Sequence, residues 1–183
     1  MQSIKCENCN AEEVCIMESS SKIIILRGNS GSGKTTVAKE LQKKLGRGTL
    51  LISQDVIRRE MLWVKDGSDT KAVSLLIDLV KYGRKNCDYV ILEGILYADW
   101  YKELFETVKS EFNDNVYAYY YDIPFEETLK RHETKPNCHD FGREDMKQWW
   151  RDKDFTGVFK DRALTKDLGL DETVEIILNN LNE

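Results

Sequence analysis

The residues whose types and spacing most clearly allow chemistry lie in one loop, Gly28-Asn29-Ser30-Gly31-Ser32-Gly33-Lys34-Thr35, which satisfies GxxxxGK[ST]. Glycines at 28, 31 and 33 let a backbone turn sharply and bring its N–H groups against phosphate oxygens. Lys34 can reach the outer phosphates of a nucleotide, and the Thr35 hydroxyl is a ligand for Mg²⁺. Thr36 follows at the mouth of a helical pattern, where the positive end of the helix dipole adds to the cradle. A turn without function has no need of lysine and threonine at these offsets. The loop is therefore read as a site for a nucleoside triphosphate with Mg²⁺.

The elements around the loop are those that such a site needs. Ile23-Ile24-Ile25-Leu26 is an apolar run suited to a buried parallel strand. Further strands are expected over 49–53, 88–94, 115–122 and, shorter, 162–165, with amphipathic helices between them. The tyrosines at 117, 119, 120 and 121 read as sheet and core packing. In open α/β sheets ligands gather at the carboxyl ends of strands, and Asp55 and Glu93 stand at two such ends. Asp55 also suits a helix N-cap, a role compatible with chemistry. Glu93 is expected near Mg²⁺ or the attacking group. After the fourth strand, an arginine-rich helix–loop–helix over about 125–155 reads as a lid, with Arg131 in its first helix. Trp149 and Trp150 read as its packing anchors.

Composition narrows the functional classes. At 183 residues the chain is expected to form one domain, 21–183, behind a mobile extension, 1–20. Its formal net charge of −5 argues against a chain built to grip nucleic acid. No run reaches the length of a membrane span and no secretory leader is evident. The five cysteines, at 6, 9, 15, 87 and 138, are an odd count suited to reduced thiols in a cytoplasm. Cys6, Cys9 and Cys15 lack the fourth ligand of a structural zinc site. His132, Cys138 and His139 match no metal spacing and read as surface residues.

The segments GNSGSGKT, SQDVIRREML, VILEGIL and YYYDIPFEETLKRH together resemble small P-loop kinases. The likeness is to the zeta-toxin and chloramphenicol-phosphotransferase-like kinases and to the kinase domains of polynucleotide 5′-hydroxyl kinases. It covers most of residues 21–183. The resemblance implies an α/β P-loop NTPase fold of kinase type, a five-stranded parallel sheet in the order 2-3-1-4-5 with helices on both faces. It implies Asp55 as general base, Arg58 as holder of a substrate phosphate, Glu93 beside metal or substrate, and Arg131 at the start of the lid. Arg143 and Arg151 are further arginines of that region.

The expected activity is transfer of the ATP γ-phosphoryl group to a hydroxyl of a small molecule. Phosphorylation of polynucleotide 5′-hydroxyls is the alternative, which the acidic composition disfavours. A non-catalytic nucleotide switch is the second alternative. A GTPase switch carries NKxD, which is missing here, and it leaves Asp55 without a role.

Overall fold

The computed structural model describes residues 21–134 and 139–182. The expected N-terminal extension, with Cys6, Cys9 and Cys15, lies outside the described residues, as does Cys138. Five parallel strands stand in the order β2-β3-β1-β4-β5. They are β1 (Lys22–Gly28), β2 (Leu50–Ser53), β3 (Tyr89–Gly94), β4 (Val116–Tyr121) and β5 (Arg162–Leu164). The helices are α1 (Lys34–Leu45), α2 (Gln54–Val56), α3 (Ala72–Asn86), α4 (Lys102–Phe112), α5 (Phe125–Glu133), α6 (Arg143–Gln148) and α7 (Leu170–Leu181).

The central strand shows why the sheet is covered on both sides. Successive side chains of a strand point to opposite faces, so an apolar residue at every position demands two apolar layers. Ile23 and Ile25 pack with Leu76 and Val80 of α3 and Leu104, Phe105 and Val108 of α4. Ile24 and Leu26 pack on the other face with Val37 and Leu41 of α1 and Val174 and Ile177 of α7. All of these strand residues are fully buried. Each stabilises the fold by about 1.5–3 kcal/mol relative to exposure.

This layering also locates the site. Strands β1 and β3 are neighbours, yet β1 leads into α1 on one face while β3 leads into α4 on the other. Their loops diverge at the carboxyl edge and leave a crevice between them, the usual place for a ligand in an open α/β sheet. Among the described residues, no helix is long and apolar enough to cross a membrane.

The sheet order matches the expectation, and element ends differ from it by a residue or two. Helix α1 starts at Lys34 rather than Thr36, because Gly33, left-handed at φ 102°, serves as its N-cap. Beyond α2 the expected helix widens into a π-helical turn, Ile57–Met61, closed by Leu62 N–H donating to Ile57 O at 2.9 Å. His132 corrects the surface reading. It is buried, its ring stacks on Phe141 at 4.3 Å, and its Nε2 lies 2.9 Å from Phe141 O. An imidazole has an apolar face as well as polar nitrogens, and here that face closes the contact between α5 and the segment leading to α6. His139 is exposed, as expected. Tyr119, Tyr120 and Tyr121 are buried, and Trp149 and Trp150 pack edge-on against Phe141 and Phe125.

Candidate active site

The loop after β1 folds as a compact cradle opening onto α1. Lys34 Nζ donates to Asn29 O at 2.9 Å and to Ser32 Oγ at 3.2 Å, so the cation lies across the loop where phosphate oxygens would sit. Gly31 has φ +82°, and a Cβ there would lie 2.4 Å from Thr128 O of α5. The loop and α5 therefore meet backbone to backbone, and only glycine allows it. Arg131 spans the same junction. Its guanidinium donates to Glu127 Oε1, to Ser32 O at 3.2 Å and to Lys166 O at 3.0 Å. A cavity of about 240 Å³ opens beside it, walled by Gly31, Gly33, Thr36, Arg131 and the backbone approaching α7, Leu168 to Leu170.

Thr35 and Glu93 come together. Thr35 Oγ1 donates to Glu93 Oε2 at 3.1 Å, and Ser53 Oγ donates to Glu93 Oε1 at 2.5 Å. Glu93 is almost fully buried, and its strand pairs in register with both partners, Leu26 on β1 and Ser53 on β2. Parallel pairing thus sets a carboxylate between two hydroxyls. Such a set of hard oxygens suits Mg²⁺, which takes few protein ligands and keeps several waters. Ser53 was not singled out from sequence. Its position at a strand's carboxyl end, two residues before Asp55, was the available signal.

Asp55 belongs to a different group. Its Oδ1 accepts from Arg58 Nη2 at 2.9 Å and lies 3.4 Å from Arg59 Nε, while its side chain remains 59 % exposed. The neighbouring Gln54 is buried and positions the adjoining loop. Its Oε1 accepts from Ile95 N–H at 2.9 Å and Leu96 N–H at 3.2 Å, and its Nε2 donates to Asp66 and to Tyr101. Close packing requires glycine at 94, where a Cβ would sit 2.4 Å from Gln54 Oε1.

Beside this loop lies a cleft of about 540 Å³ that the sequence did not announce. Its lining includes the cations Arg58, Arg59, Lys65 and Arg151 and the rings of Tyr97 and Trp100. The cleft is held against the phosphate loop by reciprocal bonds. Asn29 Nδ2 donates to Arg151 O at 2.7 Å, and Arg151 N–H donates to Asn29 Oδ1 at 3.0 Å. The Arg151 guanidinium lies 4.0 Å from the Tyr97 ring centre and pairs with Asp99 at 2.5 Å. That partner holds the Asp99 carboxyl below its usual range against the opposing effect of desolvation. Tyr97 is buried, which pushes its phenol up to about 12, and its hydroxyl donates to Trp149 O at 2.5 Å. Arg143 pairs with Glu126 on the surface, and it is not among the residues lining the cleft.

The segment 151–161 is anchored from beneath by Arg27, a fully buried guanidinium on β1. It donates to Leu96 O at 2.8 Å and to Asp154 Oδ2 at 3.0 Å, and it stacks over Phe105 at 4.9 Å. Burial lowers its pKa while Asp154 and Asp161 oppose that shift.

The family model described as an AAA domain (AAA_33) matches residues 23–150. No curated protein matches significantly. Among solved structures, the APS kinase of Mycobacterium tuberculosis, in complex with AMPPNP and APS, superposes with a TM-score of 0.65 at 20% identity. That likeness covers 89% of this chain and 98% of the other. A gluconokinase of Sinorhizobium meliloti 1021 gives a TM-score of 0.59 at 16% identity, over 90% of this chain and 93% of that one. The shikimate kinase of Acinetobacter baumannii, in complex with shikimate, gives 0.54 at 17% identity, over 90% and 97%. At these identities the likeness is one of fold, that of P-loop kinases.

Proposed function

The chain belongs to the AAA domain family whose model its residues 23–150 match, and on that premise we propose that it is an ATP- and Mg²⁺-dependent kinase of a small hydroxylated molecule. One observation carries the reading. A second cleft, separate from the nucleotide cradle, is hydrogen-bonded directly to the phosphate loop through Asn29 and Arg151. A nucleotide switch needs no such neighbouring cleft, whereas phosphoryl transfer needs two bound partners brought into line.

In this reading the loop amides from Gly28 to Thr36, with Ser30 among them, bind the phosphates, and the cavity beside Arg131 takes the nucleoside. Thr35 and Glu93, the latter bonded also to Ser53, would hold Mg²⁺. That ion neutralises charge on the phosphate oxygens when bound. Lys34 exchanges its bonds to Asn29 and Ser32 for the phosphates and stabilises charge that develops on them. Asp55 takes the proton of the acceptor hydroxyl as its oxygen bonds to the γ-phosphorus. The bond from that phosphorus to the bridging oxygen breaks and ADP leaves. Arg58 touches both Asp55 and the cleft, so it orients the base toward the acceptor. Arg131, already at Ser32 O, faces the transferring group, and residues 125–155 act as the lid that excludes water.

The test is transfer of label from γ-labelled ATP across nucleosides, nucleotides, sugars, aminoglycosides and 5′-hydroxyl oligonucleotides, with and without Mg²⁺. Labelled product from a small acceptor, only with the metal, is the expected result. Hydrolysis of ATP with no acceptor labelled would count for a switch or ATPase instead.

A further inference from the structure

We propose that the acceptor is an anion bearing a planar ring, with the size and chemistry of a nucleoside monophosphate. This rests on the kinase reading and assigns the class of its second substrate. The lining of the cleft beside the phosphate loop holds two chemically distinct groups. One is Arg58, Arg59 and Lys65, the latter two exposed. Arg58 lines the cleft and also holds Asp55 through Nη2 at 2.9 Å. An anion in the cleft can accept charge-assisted hydrogen bonds from such cations.

The other group is built on aromatic rings. Tyr97 and Trp100 meet edge to face, with ring centres 4.7 Å apart. The flat Arg151 guanidinium lies over both, at 4.0 and 5.1 Å. Planar ligand rings stack on such surfaces whatever their hydrogen-bonding pattern. The acids nearby are already engaged. Asp66 accepts from Gln54 and Tyr101, Asp55 from Arg58, and Asp99 from Arg151. Arg58, Arg59, Lys65 and Arg151 outnumber these three carboxylates, so the local field is cationic, although the chain as a whole carries −5.

The volume, about 540 Å³, suits one small ligand. Its lining is tied in place by bonds from Tyr97 to Trp149 O and from Arg151 to Asp99. A neutral sugar would leave the cations unused, and a long polyanion would find few of them.

The experiment is calorimetric titration of the full chain in excess Mg·AMPPNP with purine and pyrimidine nucleoside 5′-monophosphates, the matching nucleosides, and ribose 5-phosphate. At least one monophosphate should bind about tenfold or more tightly than both its nucleoside and ribose 5-phosphate. The margin over the nucleoside should shrink as salt rises. Lys65→Ala and Arg59→Ala alter exposed residues and should weaken the monophosphate while sparing the nucleoside. Trp100→Ala should weaken both of these ligands and spare ribose 5-phosphate.

Equal affinity for monophosphate and nucleoside would overturn the proposal, as would equal losses for both in Lys65→Ala. Transfer from ATP is read separately. Monophosphates bound but never phosphorylated would keep the ligand class and sink the kinase reading. Neutral acceptors phosphorylated while monophosphates go unbound would do the reverse.

Discussion

Lys34 and Asp55 divide the proposed chemistry between two partners, and their contacts say how each should fail. Lys34 holds the phosphate loop, donating to Asn29 O and Ser32 Oγ. Lys34→Ala should therefore lower kcat by about 10²–10³, the loss typical of one fixed donor at a site of developing charge. A transfer assay at saturating ATP measures this, and unchanged turnover would remove the loop from the mechanism. Asp55 contacts Arg58 and Arg59 and nothing in the loop. Asp55→Asn should leave Mg·ATP affinity nearly intact while transfer falls by about 10²–10⁴. If affinity collapses and turnover per bound ATP does not, Asp55 serves the nucleotide instead.

At the level of elements, the junction of the phosphate loop with α5 decides whether the site can assemble. Gly31 permits it and Arg131 fastens it. Gly31→Ala places a methyl group 2.4 Å from a backbone oxygen at a positive φ. The variant should lose more than about 1 kcal/mol of stability, since neither the conformation nor the space suits alanine. Its KM for ATP should rise as α5 is displaced, and chemical denaturation beside steady-state kinetics reads both. Arg131→Ala keeps the backbone contact and removes the charge. It should slow transfer by about 10³ if this arginine stabilises the transferring group. A rise in KM alone would show that it only docks the helix.

The whole molecule depends on polar groups taken out of water. Arg27 is wholly enclosed, with Asp154 at 3.0 Å as its partner. Arg27→Ala leaves that carboxylate only the more distant Arg151, 4.0 Å away, and should cost about 3 kcal/mol, read from urea unfolding. The tyrosines supply a pH signature. Burial raises Tyr97 to about 12, and it also raises Tyr101, Tyr120 and Tyr121 above the ordinary phenol value. The neutral form is thus favoured in the fold. This stability is fully present below about pH 10, where an unfolded phenol ionises, and for Tyr97 it drains away by about pH 12. The melting temperature should fall steeply above about pH 10, and Tyr97→Phe should soften the slope. A flat profile to pH 12 would contradict the burial of these hydroxyls.

What the amino-acid sequence determined by itself was everything that depends on neighbours along the chain. The apolar run of β1, the glycines and Lys34 of the loop, and the helical periodicity of α3 and α7 are local patterns, and each forms the element it announces. The placement of Asp55 and Glu93 at strand ends was legible for the same reason, while the strand order came through family resemblance.

The tertiary structure alone decided which distant groups meet. Ser53 and Glu93 are 40 residues apart and become partners because β2 and β3 pair in register. Asn29 and Arg151 are 122 apart and join the phosphate loop to the cleft. His132 is drawn inside by a ring beyond the end of its own helix. Periodicity describes which face of an element is apolar, but it carries no information on what the fold lays against that face. The cleft beside the phosphate loop is assembled by such encounters between distant segments, and so no stretch of the chain could announce it.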